Sequence, residues 1–150
     1  MSNSKVAPFV KWAGGKRQLL PQIEERMPEK YEEVSLDDFV KYSKSMFEYW
    51  TEDDFASSFR KMLTIEQFRS EEMQNLYQQY LVAGPASYVK DLFESMGMID
   101  AKEKADRFYA VMYFYYSIYD GTDDKSKVKE EFVSAVNSMV QELKERKFIS

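Results

Sequence analysis

Apolar and aromatic residues recur every three or four positions from Leu36 to Leu143, and this spacing restricts the possible folds more than any other feature of the chain. An α-helix has 3.6 residues per turn, so the spacing places these side chains on one face of each helix. No stretch alternates apolar and polar residues with the period of two that a half-buried strand requires. The sequence therefore predicts an all-α fold of five or six helices.

Capping signals divide the first helices. Ser35-Leu-Asp-Asp38 has the form of a capping box and predicts a helix over about 36–50. Thr51-Glu-Asp-Asp54 predicts the start of a second helix, and Thr64-Ile-Glu-Gln67 the start of a short third one.

A longer apolar stripe follows over 73–96 and contains Gly84-Pro85. Proline cannot donate a hydrogen bond to the carbonyl of Leu81, so a kink or break is expected there. Gly97 is the predicted C-terminal cap of this stripe.

Two more helices complete the predicted fold. Asp100-Ala-Lys-Glu103 predicts the start of a helix to Tyr119, and the last helix is predicted from Lys125 to about Lys147. The first of these is apolar or aromatic almost all round after Phe108, which indicates a core or interface helix.

Charge divides the chain near Tyr31. Residues 1–31 hold six Lys/Arg and three Glu, whereas residues 32–150 hold 15 basic and 23 acidic residues. Three of the four prolines also lie in the first part. The predicted organisation is therefore a short, irregular or helical lead-in over 1–31 and a helical domain over 32–150.

Composition excludes several function classes. The chain has no Cys and no His, which excludes disulfides, zinc fingers, cysteine nucleophiles and histidine-based triads or metal sites. The net charge of −5 opposes binding to a phosphate backbone, so specific nucleic-acid binding by this chain alone is not expected. No signal-peptide pattern and no membrane-spanning run occur, which predicts a cytoplasmic protein without a metal site or membrane association.

Residues of about 33–147 resemble the C-terminal regulatory domain of TetR-type transcriptional repressors. The likeness lies in Met62-Leu-Thr-Ile-Glu-Gln-Phe-Arg69, Met73-Gln-Asn-Leu-Tyr-Gln-Gln-Tyr80 and Gly84-Pro-Ala-Ser-Tyr-Val-Lys-Asp-Leu-Phe93, followed by two closing helices. The resemblance implies a ligand-binding helical bundle that dimerises through its last two helices. No helix-turn-helix of the kind that reads DNA in that family precedes Glu33.

This interpretation predicts two sets of side chains. A pocket for a small neutral or aromatic ligand, with several hydroxyls and no buried cation, is expected among aromatic residues on the inward faces of their helices. Its predicted lining is Phe47, Trp50, Phe59, Tyr77, Tyr80, Tyr88 and Tyr113. A homodimer interface of four helices is expected at Phe108, Met112, Tyr115, Tyr116, Tyr119, Phe132, Val136, Met139, Val140 and Leu143.

Residues of about 6–30 resemble the opening of Dam-type DNA adenine methylases, through Pro8-Phe-Val-Lys-Trp-Ala-Gly-Gly-Lys-Arg-Gln-Leu-Leu-Pro-Gln-Ile23. In that family the Lys-Trp-x-Gly-Gly-Lys loop contacts S-adenosylmethionine. By this resemblance the contacts would come from Lys11, Trp12, Ala13, Gly14, Gly15 and Lys16. The family's catalytic Asp-Pro-Pro-Tyr motif does not occur in these 150 residues. The expectation is therefore no catalytic residue, no methyl transfer, no tightly bound cofactor and no enzyme activity.

Three functions remain open at this point. The first is a dimeric, ligand-sensing regulatory domain of TetR type, and it accounts for the largest share of the chain. The second is a truncated, inactive protein related to DNA adenine methylases. The third is a helical protein that binds a partner and has no small ligand.

Overall fold

Residues 35–146 are described by the computed structural model, and within this range the chain is helical, without strands. The six helices are α1 (Leu36–Glu52), α2 (Asp54–Glu66), α3 (Glu71–Leu81), α4 (Ala83–Ser95), α5 (Ala101–Gly121) and α6 (Lys125–Arg146). The predicted all-α class is confirmed. The predicted boundary near Tyr31 lies outside the described residues and stays a prediction.

Helix α5 is the centre of the bundle, because it packs against α1, α4 and α6. Helix α1 also packs against α2 and α6, while α3 joins α2 to α4. The core between these helices is rich in rings, and its fully buried phenylalanines come from five different helices. They are Phe39, Phe47, Phe59, Phe93, Phe108 and Phe132.

The start of α1 follows the predicted capping box. The Ser35 hydroxyl accepts a hydrogen bond from the Asp38 amide at 3.1 Å, and the Asp38 carboxylate accepts one from the Ser35 amide at 3.4 Å. Two otherwise unpaired amides of the first turn are thereby satisfied.

Helix α2 differs from the prediction at both ends. Thr51 lies in the last turn of α1 and donates to the Phe47 carbonyl at 2.6 Å, while Asp53 caps α2 by accepting from the Ala56 amide at 2.9 Å. The predicted short third helix at Thr64 is wrong. The Thr64 hydroxyl donates back to the Arg60 carbonyl at 2.8 Å, so this threonine continues α2 and does not cap a new helix.

The chain breaks between α3 and α4 at Val82, whose φ of −131° and ψ of −85° are not helical. The predicted break is confirmed, but it precedes Pro85 by three residues. Pro85 occupies the first turn of α4, where a helix leaves amides unpaired in any case and a proline costs little. A Cβ on Gly84 would lie 1.8 Å from the Gln79 carbonyl oxygen, so this position requires glycine for close approach to the end of α3.

The end of α4 is a Schellman motif. Gly97 has φ of +83°, its amide donates to the Glu94 carbonyl at 3.0 Å, and the Met98 amide donates to the Phe93 carbonyl at 3.1 Å. The predicted cap at Gly97 is therefore confirmed.

The predicted start of α5 is confirmed, because Asp100 is the N-cap and the helix begins at Ala101. Asp100 has a left-handed backbone with φ of +57°, and its side chain makes no cap hydrogen bond. Helix α5 also continues two residues past the predicted end at Tyr119, so that Asp120 belongs to it.

Candidate ligand-binding clefts

Most of the residues predicted to line one pocket are packed into the core at separate places. The Phe47 ring stacks on Phe132 with centroids 4.2 Å apart, and the Phe59 ring meets the Tyr80 ring edge-on at 5.4 Å. Trp50 is 4% exposed and sits beside Tyr49. These rings pack against other side chains and do not border the open pocket that was predicted.

Tyr88 lies elsewhere on α4, with its ring 5.7 Å from that of Tyr42. Of the seven predicted lining residues, Tyr77 and Tyr113 border an open cleft together. Their hydroxyls are hydrogen-bonded to each other.

This α3–α5 cleft has a volume of ≈ 630 Å³ and lies between α3, α4 and α5. Tyrosine rings and small apolar side chains make up most of its walls, and two lysines and one aspartate complete them. The lining residues are Tyr77, Val82, Ala83, Ala86, Ser87, Lys90, Lys102, Asp106, Tyr109, Ala110 and Tyr113. Both lysines form ion pairs, Lys90 with Asp91 and Glu94, and Lys102 with Asp106.

A second cleft, the α2–α5 cleft, also borders Tyr113 and has a volume of ≈ 510 Å³. It is lined by Arg60, Lys61, Thr64, Ile65, Leu81, Tyr113, Tyr116, Ser117 and Asp120. Tyr113, which is 40% exposed, is therefore common to the walls of both clefts.

A buried cation forms one wall of the α2–α5 cleft. Arg60 is 5% exposed and donates to both carboxylate oxygens of Asp120, at 2.7 Å and 2.9 Å. Its third hydrogen bond goes to the Trp50 carbonyl at 3.0 Å, and its guanidinium lies 5.0 Å from the centre of the Tyr116 ring. This clamp ties the end of α1 to α2 and α5 with a geometry that suits a desolvated guanidinium.

This cleft differs in that respect from the predicted pocket, which was expected to have no buried cation. Arg60 follows Ala56 by four residues, and Ala56 is fully buried on the core face of α2. Because residues four apart lie on the same face of a helix, this spacing is a sequence signal that Arg60 is buried. Its partner Asp120 is 60 residues away, and no local pattern relates the two.

Three tyrosine hydroxyls of α3 and α5 are shielded from water. Burial raises the pKa of Tyr109 and of Tyr116 well above the ordinary value, and it also raises the pKa of Tyr80. The Tyr109 hydroxyl donates to the Leu81 carbonyl, which has lost helical partners at the α3–α4 break. The Tyr80 hydroxyl is buried and has no hydrogen-bond partner among the described residues.

Most of the predicted dimer residues are covered within the single chain. Seven side chains are buried in its core, namely Phe108, Met112, Tyr116, Tyr119, Phe132, Val136 and Val140. The other three, Tyr115, Met139 and Leu143, are partly buried and pack against that core. The homodimer stays a prediction, and light scattering that gives the mass of one chain at tens of micromolar would contradict it.

The described residues contain no group of three or more acidic side chains placed to hold a metal ion. None of the helices within 35–146 is long and apolar enough to span a bilayer. The predicted S-adenosylmethionine contacts, Lys11, Trp12, Ala13, Gly14, Gly15 and Lys16, lie outside the described residues.

Comparison with known proteins finds similarity to type II DNA methyltransferases. The chain is 32% identical over 112 residues to the type II methyltransferase M1.LlaDCHI of Lactococcus lactis subsp. cremoris, a match that covers 71% of this chain and 39% of that protein. It is 46% identical over 37 residues to the type II methyltransferase M.MjaIII of Methanocaldococcus jannaschii, covering 25% of this chain and 13% of that protein. The chain thus spans well under half the length of the curated relatives it matches. No protein-family model and no solved structure matches it.

The longer match includes residues of the helical region. Residues 1–34 and 147–150, which lie outside the described range, are too short to account for 71% of the chain. The methylase similarity therefore extends beyond the short N-terminal motif that suggested it. Neither relative is named as a TetR-type regulator, so these comparisons favour the methylase alternative over the TetR prediction.

Proposed function

We propose that this chain is a non-catalytic relative of type II DNA methyltransferases, whose helical region binds a small molecule. The observation that carries the relationship is the match over 71% of the chain to one such methyltransferase. The Lys11–Lys16 segment also supports it through its resemblance to the cofactor loop of Dam-type enzymes.

Two features of the residues present support the proposed absence of catalysis. Adenine methylation of the Dam type uses an Asp-Pro-Pro-Tyr motif, and the last proline of these 150 residues is Pro85. The described residues 35–146 also form no parallel sheet on which a cofactor loop would be held in place. A cofactor loop without such support is not preorganised and binds weakly.

A methylation assay tests this proposal directly. The purified chain is incubated with radiolabelled S-adenosylmethionine and unmethylated DNA, with the Lactococcus methyltransferase as the positive control. We expect no label in the DNA above the protein-free blank, and methyl transfer that depends on the chain would contradict the proposal.

Calorimetry addresses the cofactor loop separately. We expect no stoichiometric, micromolar binding of S-adenosylmethionine to the chain. Micromolar binding that is lost in Trp12→Ala but kept in Lys127→Gln, an exposed site on α6, would show a working cofactor loop.

The α3–α5 cleft supports the second half of the proposal. Its volume of ≈ 630 Å³ is within the usual range for ligand sites, and its walls combine rings, small apolar side chains and a few hydroxyls. Both of its lysines are already paired with carboxylates, so the cleft favours a small, neutral and largely apolar ligand.

A thermal-shift screen of neutral aromatic compounds tests the cleft. A compound that binds the folded chain raises the melting temperature by mass action. In Ala110→Trp a large ring occupies the cleft from an exposed helix position, so the shift should disappear, whereas Asn75→Trp on the exposed face of α3 should keep it. Equal shifts in the two variants would place the ligand elsewhere.

A further inference from the structure

We infer that the α2–α5 cleft is a site for a small aromatic carboxylate, with Lys61 as the residue that pairs with its charge. This site is distinct from the neutral α3–α5 cleft, and it does not depend on the methyltransferase relationship. The inference rests on the charges, apolar walls and size of the cleft.

Charge is the first step. Asp120 is the single carboxylate among the nine lining residues, and Arg60 already donates to both of its oxygens. The Lys61 ammonium has no carboxylate within ion-pair distance in the described range 35–146, and Lys61 is exposed to solvent. The cleft therefore carries one uncompensated positive charge, although the chain as a whole has a net charge of −5.

This single uncompensated positive charge favours a ligand with one negative charge. A phosphate group carries more charge than Lys61 alone compensates, because the Arg60 charge is already compensated by Asp120. A carboxylate brings one charge and two acceptor oxygens. The hydroxyl of Ser117 lines the same cleft and is a further donor for such a group.

The walls indicate the rest of the ligand. Ile65 is 73% exposed and Tyr113 is 40% exposed, and both border the cleft together with the buried Leu81. A flat, apolar ligand would cover the exposed side chains, and covering apolar surface is favourable. A volume of ≈ 510 Å³ accommodates a one- or two-ring compound.

The test compares an acid with its neutral amide on the full 150-residue chain carrying Ala110→Trp, which fills the α3–α5 cleft so that the neutral compound does not bind there. Indole-3-acetate and indole-3-acetamide have nearly the same shape and differ in charge. By titration calorimetry at low salt we expect one-to-one binding of the acetate, weaker binding of the acetamide by about fivefold or more, and loss of that preference in Lys61→Gln. Lys127→Gln, which removes the same charge from the exposed start of α6, should keep the preference.

Two further results decide the case. Ile65→Ser changes an exposed residue outside the core. It should weaken the binding of both compounds, because it removes an apolar wall of the cleft and leaves Lys61 in place. Equal affinity for acid and amide, an unchanged preference in Lys61→Gln, or no binding at millimolar concentration would overturn the inference. So would backbone amide shifts that the acetate causes only on α6, because they would show a surface association away from the cleft.

Discussion

Two aromatic regions of the same bundle are organised in different ways. Between α1, α5 and α6, rings contact rings: Phe47 lies between Phe132 and Tyr116, with centroid distances of 4.2 Å and 5.5 Å. Around the α3–α4 break the aromatic residues are mostly tyrosines, and hydroxyls meet hydroxyls or carbonyls. Phenylalanine rings need no hydrogen-bond partner and can pack directly on one another, whereas buried hydroxyls must find partners. Both clefts that border Tyr113 lie on the tyrosine side.

The largest effect is expected from removing a ring on the phenylalanine side. Phe47→Ala deletes a fully buried side chain with two stacked neighbours and leaves a cavity, so the free energy of unfolding should fall by about 3–5 kcal/mol. Urea unfolding measures this loss. Phe47→Leu, which keeps most of the volume, should lose clearly less, and an equal loss in the two variants would contradict tight packing at this position.

On the tyrosine side, the largest effect should come from the buried ion pair. Asp120→Ala leaves Arg60 in the core without its partner, and the free energy of unfolding should fall by about 2–3 kcal/mol. This value is below that for a fully buried pair because the Asp120 side chain is 29% exposed. Asp123→Ala, at an exposed site nearby, should change the free energy of unfolding little.

A double variant sharpens this prediction. Arg60→Met together with Asp120→Ala removes both charges, and it should be more stable than Asp120→Ala alone because no buried charge is then uncompensated. If the double variant is the less stable one, the arginine serves mainly through its hydrogen bond to the Trp50 carbonyl.

Two tyrosine hydroxyls should respond in opposite directions. Tyr109→Phe removes the donor to the Leu81 carbonyl and should cost about 1 kcal/mol in the free energy of unfolding. Tyr80→Phe removes a buried hydroxyl without a partner in the described part of the chain, so stability should stay the same or rise. Chemical unfolding of the pair measures both, and equal destabilisation would mean that the Tyr80 hydroxyl has a partner.

The smallest effect belongs to the surface. The Lys144 ammonium lies 2.6 Å from the Asp37 carboxylate and holds the pKa of that carboxyl below its ordinary value. A depressed folded-state pKa contributes stability at neutral pH that is lost as the pH falls through that pKa. Lys144→Gln should therefore raise the pKa of Asp37, which an NMR titration detects, while stability at neutral pH hardly changes because the pair is exposed. An unchanged pKa would mean that the pair does not form in solution.

Local patterns predicted most of the helices, with the exception of the short one expected at Thr64. The capping box at Ser35 and the glycine cap at Gly97 depend on residues close in sequence, and both are confirmed. The pattern at Thr64 failed, because the threonine hydroxyl has an alternative acceptor one turn earlier. Short polar side chains have several local partners, and the surrounding packing decides among them.

The clefts were much harder to predict from the sequence. Helical phase shows that a ring points inward, but it does not show whether that ring fills the core or borders a space. Phe47 and Tyr113 therefore had the same sequence signal, yet one is fully buried and the other lines both clefts. The pairing of Arg60 with Asp120 depends on how α2 and α5 cross, which no local spacing specifies.

The missing side chain of Gly84 determines how closely two helices meet. A methyl group at this position would lie 1.8 Å from the Gln79 carbonyl oxygen and would overlap it. Helices α3 and α4 can therefore join at Val82 in this way only when residue 84 has no side chain. Three residues of the joint, Val82, Ala83 and Ala86, are walls of the α3–α5 cleft. The width of that cleft therefore depends on the absence of a side chain at position 84. Substitution of Gly84 by a larger residue would change the shape of the cleft, although Gly84 itself does not line it.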